Sequence, residues 1–205
     1  MKKLFLFIIT LLAGFASLNA QAAKVGDPVC PFLAREDLSP LGITKDTDFA
    51  DSDWDWGESP RETPGAKVFS NMCMVKVKTP EGRVEVLLAL DSFTGKVTEE
   101  QVDRWIKSVA ASRDPEDEGT TIIPIGDSVC ETGNYELRTE GLDGEATKVN
   151  ELYVACDKQV GTRHMTLNVH VPEANKNILP TPARAKAILD NSVQLMVAAT
   201  REQAI

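Results

Sequence analysis

The chain has 205 residues, and its 22 Lys and Arg residues against 31 Asp and Glu residues give a net charge of −9 at pH 7. This length fits one domain or at most two small ones. The acidic balance excludes nucleic acid as the main partner, because nucleic-acid binding needs cations that meet phosphates, and it suits solubility, cations or a basic protein partner.

The first 22 residues have the pattern of a secretory signal peptide. Lys2 and Lys3 precede an apolar run from Leu4 to Leu12, and the small-residue pattern Ala20-Gln21-Ala22 follows. The run is too short to span a bilayer. Cleavage after Ala22 would remove two lysines and no acids, which takes the net charge from −9 to −11. We expect the mature chain, residues 23–205, to be a single domain without a membrane span.

The cysteine count also indicates export. The four cysteines, all beyond the signal, are Cys30, Cys73, Cys130 and Cys156. An even number in an exported chain indicates two disulfides, and the spacing is unlike a C-x-x-C metal or redox pattern. Four cysteines allow three pairings. We favour Cys30–Cys73 and Cys130–Cys156, which close the shorter loops, although the sequence leaves the other pairings open.

The first part of the mature chain contains a helical turn and an acidic segment. Residues Asp27–Ile43 predict one or two helical turns, ended by Pro40 and Gly42. Residues 45–64 are rich in Asp, show little periodicity and end in a Pro-Gly turn signal, so we interpret them as an exposed acidic loop.

Alternating apolar residues predict two hairpins. The first begins at Lys67, turns at Pro80–Gly82 and returns through Val84–Leu90. The second, Glu151–Val171, turns around Gly161 and is the strongest structural signal in the chain. Short strands at Thr121–Ile125 and Tyr135–Thr139 lie between the two hairpins.

Two amphipathic helices complete the pattern. Thr98 and Gln101 form a capping box that opens one helix, and Thr181 with Pro182 opens the other. The predicted fold class is therefore α+β, an antiparallel sheet with the two helices packed on one face. The other face would carry polar and aromatic residues: Tyr153, His164, Thr166, Asn168 and His170.

Short segments resemble a known family. The segments are Asp27–Leu33, Leu41-Gly42, Cys73 on a strand, Gly82–Val84 and Gly126-Asp127. They are similar to segments of small secreted bacterial lipoproteins of unknown function with a PsbP-like α/β fold. The resemblance covers most of the mature chain and implies that fold and export, but no catalytic residues. The chain departs from the family in its added acidic loop and in having no lipid-attachment cysteine after the cleavage region.

The acidic loop contains a calcium-like pattern. Asp51, Asp53, Asp55 and Glu62 occupy the first, third, fifth and twelfth positions of an EF-hand loop. Trp56 stands where that loop needs glycine, Pro60 interrupts it, and no flanking helices are predicted. We therefore favour a solvated acidic loop, with calcium binding as the alternative.

The same loop is the predicted partner-binding surface. Its two tryptophans are either interface anchors or residues packed on the domain. The predicted contact residues are Asp46, Asp48, Asp51, Asp53, Trp54, Asp55, Trp56 and Glu58.

Two further patterns are weaker. Gly126-Asp127-Ser128 follows an apolar strand and resembles the nucleophile motif of GDS-type hydrolases, but that chemistry needs a histidine oriented by an acid, so we interpret it as a turn. His164 and His170 lie roughly 20 Å apart along one strand, too far to share a metal ion. We interpret both as surface histidines.

These patterns favour a non-enzymatic periplasmic or secreted binding protein without a cofactor. It would be an inhibitor or immunity-type partner of a basic protein, or take a small ligand on its open sheet face. A calcium-binding module using the acidic loop is the first alternative, and a hydrolase is the second.

Overall fold

The computed structural model describes residues 28–58, 66–112, 120–140 and 146–202, so the predicted signal peptide lies outside the described residues. One seven-stranded antiparallel sheet has the order β1-β2-β3-β7-β6-β5-β4. The strands are β1 Ala50–Glu58, β2 Ala66–Thr79, β3 Gly82–Gly95, β4 Thr121–Ile125, β5 Ser128–Glu140, β6 Ala146–Val160 and β7 Arg163–Pro172. The helices are α1 Glu99–Ser112 and α2 Pro182–Glu202, with short 3-10 helices at Cys30–Phe32, Arg35–Leu41 and Glu173–Asn175. The predicted α+β class is confirmed.

The centre of the sheet is formed by the two predicted hairpins. β3 pairs with β7 so that Leu88 lies opposite Leu167, and β7 pairs with β6 so that Leu167 lies opposite Cys156. Side chains alternate across a strand, so these buried residues share one face of the sheet, which we call the core face. The β6–β7 turn is tight because Gly161 takes a φ of +62°, which other residues rarely adopt.

Helix α2 covers the core face. Thr181 begins it as predicted, since its Oγ1 accepts a hydrogen bond from the backbone N–H of Arg184 at 3.3 Å, and Pro182 is the first helical residue. Ile188, Leu189 and Met196 of α2 are almost fully buried against the sheet. Each such side chain contributes about 1.5–3 kcal/mol of burial free energy.

Helix α1 packs on the opposite face, which corrects the expectation that both helices share one face. The predicted capping box is present, with Gln101 Oε1 accepting from the Thr98 N–H at 2.8 Å. Below it, Val102 is buried in a separate small cluster with Val68 and Phe93, two residues that lie opposite each other in β2 and β3. Because Phe93 is an odd number of residues from Leu90, its side chain points away from the core face and gives α1 an apolar support of its own.

The segment predicted as an acidic loop contains strand β1, which corrects the expectation for residues 45–64. Ala50 lies opposite Met74 and Asp55 lies opposite Phe69, so this part of the chain forms an edge of the sheet. The sequence did not predict the strand because Asp is depleted in strands. Tertiary contacts compensate: Asp51 Oδ1 accepts from the N–H groups of Val29 and Cys30 at 3.0 and 2.9 Å.

Both favoured disulfide pairings are confirmed. Cys30–Cys73 ties the first 3-10 helix to β2, and Cys130–Cys156 joins residues directly opposite each other in β5 and β6. All four cysteines are buried on the core face, and none of the cysteines is free.

We expect each disulfide to contribute about 2–4 kcal/mol to the free energy of unfolding, because each restricts the unfolded chain. Chemical denaturation of two double variants, Cys30→Ala with Cys73→Ala and Cys130→Ala with Cys156→Ala, measures both contributions. Thiol titration of the native, unreduced protein should detect no reactive thiol. Two or more reactive thiols would contradict the pairing.

Candidate functional site

The face opposite the core face carries a histidine between two carboxylates. We call this face, which bears Asp91, Asp157 and His164, the polar face. His164 Nδ1 lies 3.3 Å from Asp91 Oδ2, and His164 Nε2 lies 2.9 Å from Asp157 Oδ1. The three residues come from β3, β6 and β7, and His164 is only 8% exposed. The strand register alone brings them together, since His164 is directly opposite Asp91.

The two carboxylates keep this histidine protonated. Burial of the ring acts to lower its pKa, but the hydrogen bonds to Asp157 and then to Asp91, with their charges, outweigh burial and raise the pKa to about 9. The side chain is therefore an imidazolium near neutral pH, whereas a general base must be unprotonated at its working pH.

Hydroxyl groups close the cluster at both ends. Ser70 Oγ donates a hydrogen bond to Asp91 Oδ1, and Thr166 Oγ1 donates to Asp157 Oδ1 at 2.6 Å. The order is hydroxyl, carboxylate, imidazolium, carboxylate, hydroxyl. Thr166 Oγ1 also lies 3.5 Å from His164 Nε2, but its proton is donated to Asp157 at 2.6 Å, and a protonated imidazole cannot accept it. This arrangement therefore suits a structural clamp across three strands.

The second histidine belongs to an aromatic cluster farther along the same face. The rings of Tyr153 and His170 stack with centroids 5.7 Å apart. Tyr153 also lies over Gly133, where an added Cβ would come within 2.7 Å of the ring, so only glycine fits beneath it. Burial lowers the pKa of His170. Sequence placed both histidines on a solvated strand, but His164 is buried and His170 is partly buried.

The Gly126-Asp127-Ser128 motif forms a turn, as the sequence predicts. Asp127 makes ion pairs with Lys158 at 2.8 Å and with Lys186 at 3.1 Å, and the hydrogen bond from Lys158 is the main cause that lowers its pKa to about 2. Ser128 is 3% exposed and lies opposite Lys158, whereas His164 lies opposite Gln159, the next residue along β6. The serine and the histidine therefore lie on opposite faces of the sheet, out of reach of each other.

The predicted partner-binding residues lie in and just before β1. Asp46 and Asp48 are exposed. Asp51 caps the first 3-10 helix, and Asp53 accepts a hydrogen bond from Asn71 Nδ2 at 2.6 Å. The side chains of residues 54–58 lie outside the described part, as does Glu62.

The extended conformation of β1 differs from the closed loop that the calcium-like pattern would need. Calcium ligands in an EF-hand come from a loop that closes around the ion. Here Asp51, Asp53 and Asp55 are alternate residues of an extended strand. Asp51 also lies near the sulfur atoms of Cys30 and Cys73, but those sulfurs form a disulfide, whereas metals bind the thiolate.

Sequence reasoning missed an acidic depression beside α1. It has a volume of about 400 Å³ and is lined by Glu99, Glu100, Asp103, Asp127, Gln159 and Gly161. The capping box predicted the first turn of α1, but no local pattern indicates that the β4–β5 and β6–β7 turns meet there. Gln159 links the elements, since its side-chain amide donates to the carbonyls of Glu99 and Gly161 at 2.8 and 2.9 Å.

Comparisons with known proteins show little similarity. No family model and no curated protein matches the chain. Among solved structures, the extracellular domain of PknH from Mycobacterium tuberculosis is similar over 86% of this chain and 97% of that chain, with 10% sequence identity and a TM-score of 0.47. A likeness at this level does not extend to function. Across the described ranges, no helix is long and apolar enough to cross a membrane.

We expect the histidine clamp to make stability depend on pH. The pKa of His164 rises from 6.5 to about 9 on folding, so its contribution is fully present below about pH 6.5 and is lost as the pH rises through about 9. The full contribution is about 3 kcal/mol. Measurements of the unfolding free energy from about pH 6 to about pH 10 should show this loss.

His164→Gln should remove the loss and His170→Gln should retain it, because the pKa of His170 shifts in the opposite direction. An unchanged alkaline loss in the His164 variant would contradict the clamp.

Proposed function

We propose that the protein is a non-enzymatic binding protein, exported to the periplasm or beyond, that receives an extended basic segment of a protein partner along β1. An inhibitor or an immunity protein would have this function. The main support is the position of β1 at the edge of the sheet. Within the described residues β1 pairs only with β2, and the residues from Ala50 to Asp53 are exposed.

An edge strand offers unpaired backbone groups to an incoming strand. The carboxylates of Asp46, Asp48 and Asp53 select the charge of that strand. They repel an acidic segment and a second copy of this edge, while they attract a basic segment and speed its encounter. The edge thus combines a general means of binding with a means of choosing the partner.

The chemistry of the polar face supports a binding protein over an enzyme. His164 is held as an imidazolium by two carboxylates. Ser128 is buried on the other face. The two disulfides support export, since such bonds persist in oxidising compartments. The resemblance to secreted lipoproteins of PsbP-like fold remains part of the proposal.

The test uses a synthetic extended peptide of alternating Lys and Val as the probe. The peptide should bind, and its affinity should fall as the salt concentration rises. Binding should also slow hydrogen exchange of the β1 amides, because pairing with a further strand protects them. Replacing Asp46 and Asp48 with Asn should weaken binding several-fold. Glu81→Gln with Glu100→Gln removes the same charge from exposed sites in the β2–β3 turn and on α1, and is the matched control. Equal loss in both pairs, or protection away from β1, would reject the edge as the site.

The tryptophans of β1 give a second measurement. Trp54→Ala with Trp56→Ala should weaken binding by about 2 kcal/mol or more, because indoles at interfaces supply much of the holding energy. The unfolding free energy should change little, and replacing His164 and His170 should weaken binding much less. Unfolding of the tryptophan variant would mean that these rings belong to the core.

The calcium-binding alternative predicts a different result. We expect millimolar calcium to leave the melting temperature almost unchanged, because an extended β1 does not close around an ion and mass action stabilises only a bound state. Differential scanning calorimetry with and without calcium decides this. A rise of several degrees that disappears in Asp53→Asn with Asp55→Asn would favour the calcium module.

A further inference from the structure

Asp51 connects β1 to both ends of the Cys30–Cys73 disulfide. In the pairing of β1 with β2, Asp51 lies directly opposite Cys73. Its side chain reaches the other cysteine, because Oδ1 accepts hydrogen bonds from the N–H groups of Val29 and Cys30 at 3.0 and 2.9 Å. A carboxylate oxygen of Asp51 and the two sulfur atoms lie within 4.8 Å of one another. We call this closed set of contacts among Asp51, Cys30 and Cys73 the Asp51 junction.

The described side chains of β1 bury little apolar surface. Residues 50–53 are all exposed, and two of these four are Asp, which is depleted in strands. Besides the backbone pairing with β2, they are held by the hydrogen bonds of Asp51 and by the bond from Asn71 Nδ2 to Asp53 at 2.6 Å. A strand held mainly by exposed hydrogen bonds opens locally at low cost when one of its anchors is lost.

The segment that carries Cys30 has a core of its own. Val29 and Leu38 are 0% exposed, and Leu33 is 2% exposed, all within the main apolar cluster. This burial does not need the disulfide, so we expect the domain to keep its core when the disulfide is absent. What the disulfide adds is a fixed spacing between Cys30 and β2. Without it, the Asp51 hydrogen bonds and the β1–β2 register no longer reinforce each other.

We propose that formation of the Cys30–Cys73 disulfide prepares the β1 edge for binding, so that the chain receives a basic segment fully only in an oxidising compartment. This inference rests on the proposed function of β1 and adds its regulation. The two thiols form the S–S bond and release two electrons and two protons, which a disulfide-bearing oxidant takes up as it becomes a dithiol. Before oxidation, the edge is ordered for a smaller fraction of the time, and its affinity falls by that fraction.

The second disulfide is a matched control within the same chain. Cys130–Cys156 also joins buried cysteines, but it links β5 to β6, and both sulfurs contact the Pro182 carbonyl at the start of α2 at 3.6 Å. Four strand spacings, roughly 19 Å, separate β1 from β6. Its loss should therefore lower the stability of the domain without a selective effect on β1.

The experiment combines hydrogen exchange of the free mature protein with binding of the Lys–Val peptide. Cys30→Ala with Cys73→Ala should speed exchange of the β1 amides about tenfold or more and weaken peptide binding about tenfold. Cys130→Ala with Cys156→Ala should affect both much less.

Asp51 variants of the oxidised protein test the junction by a second route. Asp51→Ala should also speed β1 exchange, whereas Asp51→Asn should do so less, because an amide oxygen still accepts hydrogen bonds. Adding Asp51→Ala to the Cys30→Ala, Cys73→Ala variant should have a smaller effect than it has alone, since both changes break the same set of contacts.

Three results would overturn the proposal: unchanged β1 exchange without Cys30–Cys73, equal acceleration without Cys130–Cys156, or loss of core amide protection when Cys30–Cys73 is removed. The last result would show that this disulfide supports the whole domain rather than its edge. Failure of the oxidised protein to bind the Lys–Val peptide would reject the proposed function. The exchange measurement on the free protein distinguishes the two, because it tests the coupling of the disulfide to β1 without any peptide.

Discussion

The pairing of β3, β7 and β6 in one register is the constraint on which the rest of the structure depends. With Leu88 opposite Leu167, the fully buried apolar residues in the middle of these strands face α2, whereas Asp91, Asp157 and His164 face the other way. A shift of one residue would carry Asp91 and His164 into the core and leave Leu88 in water. The cost would combine several kcal/mol for each uncompensated charge with the loss of the apolar burial.

The contacts of His164 with Asp91 and Asp157 favour this strand register over shifted ones. A buried ion pair often contributes little net stability, because desolvation offsets the attraction. Here one imidazolium is shared by Asp91 and Asp157 from the two strands that flank β7, so a register shift on either side would leave one carboxylate without its partner. The same contacts use both nitrogens of His164 to hold the three strands together.

The strands and helices with strong periodicity could be predicted from the sequence. The hairpin Glu151–Val171 and the cap at Thr98 follow from local patterns, and the structure confirms both. Loop length favoured the observed disulfide pairing but left the other pairings open. Strand β1 was missed because its formation depends on contacts with distant residues, such as the cap that Asp51 provides to Cys30. The strand propensity of each residue does not reflect such a long-range contact.

The candidate sites were predicted less well for the same physical reason. Sequence placed His164 and His170 on one face of a strand, but spacing along the chain does not reveal that β3 and β6 each bring a carboxylate to His164. Likewise, the acidic depression joins two turns and a helix start that are far apart in sequence. The helix α1 was assigned to the core face because its periodicity shows that it has an apolar side, but not which side of the sheet will receive it.

The two edges of the sheet are protected in different ways, and this difference bears on what each can bind. Within the described residues β1 pairs only with β2, and its acidic residues oppose pairing with a second copy of the same edge. Strand β4 is short and contains Pro124, which lacks a backbone donor, so a further strand would pair poorly there. β4 is therefore less suited to strand addition than β1. If β1 receives a partner as proposed, its acidic residues would disfavour a second copy of this edge and favour a basic segment.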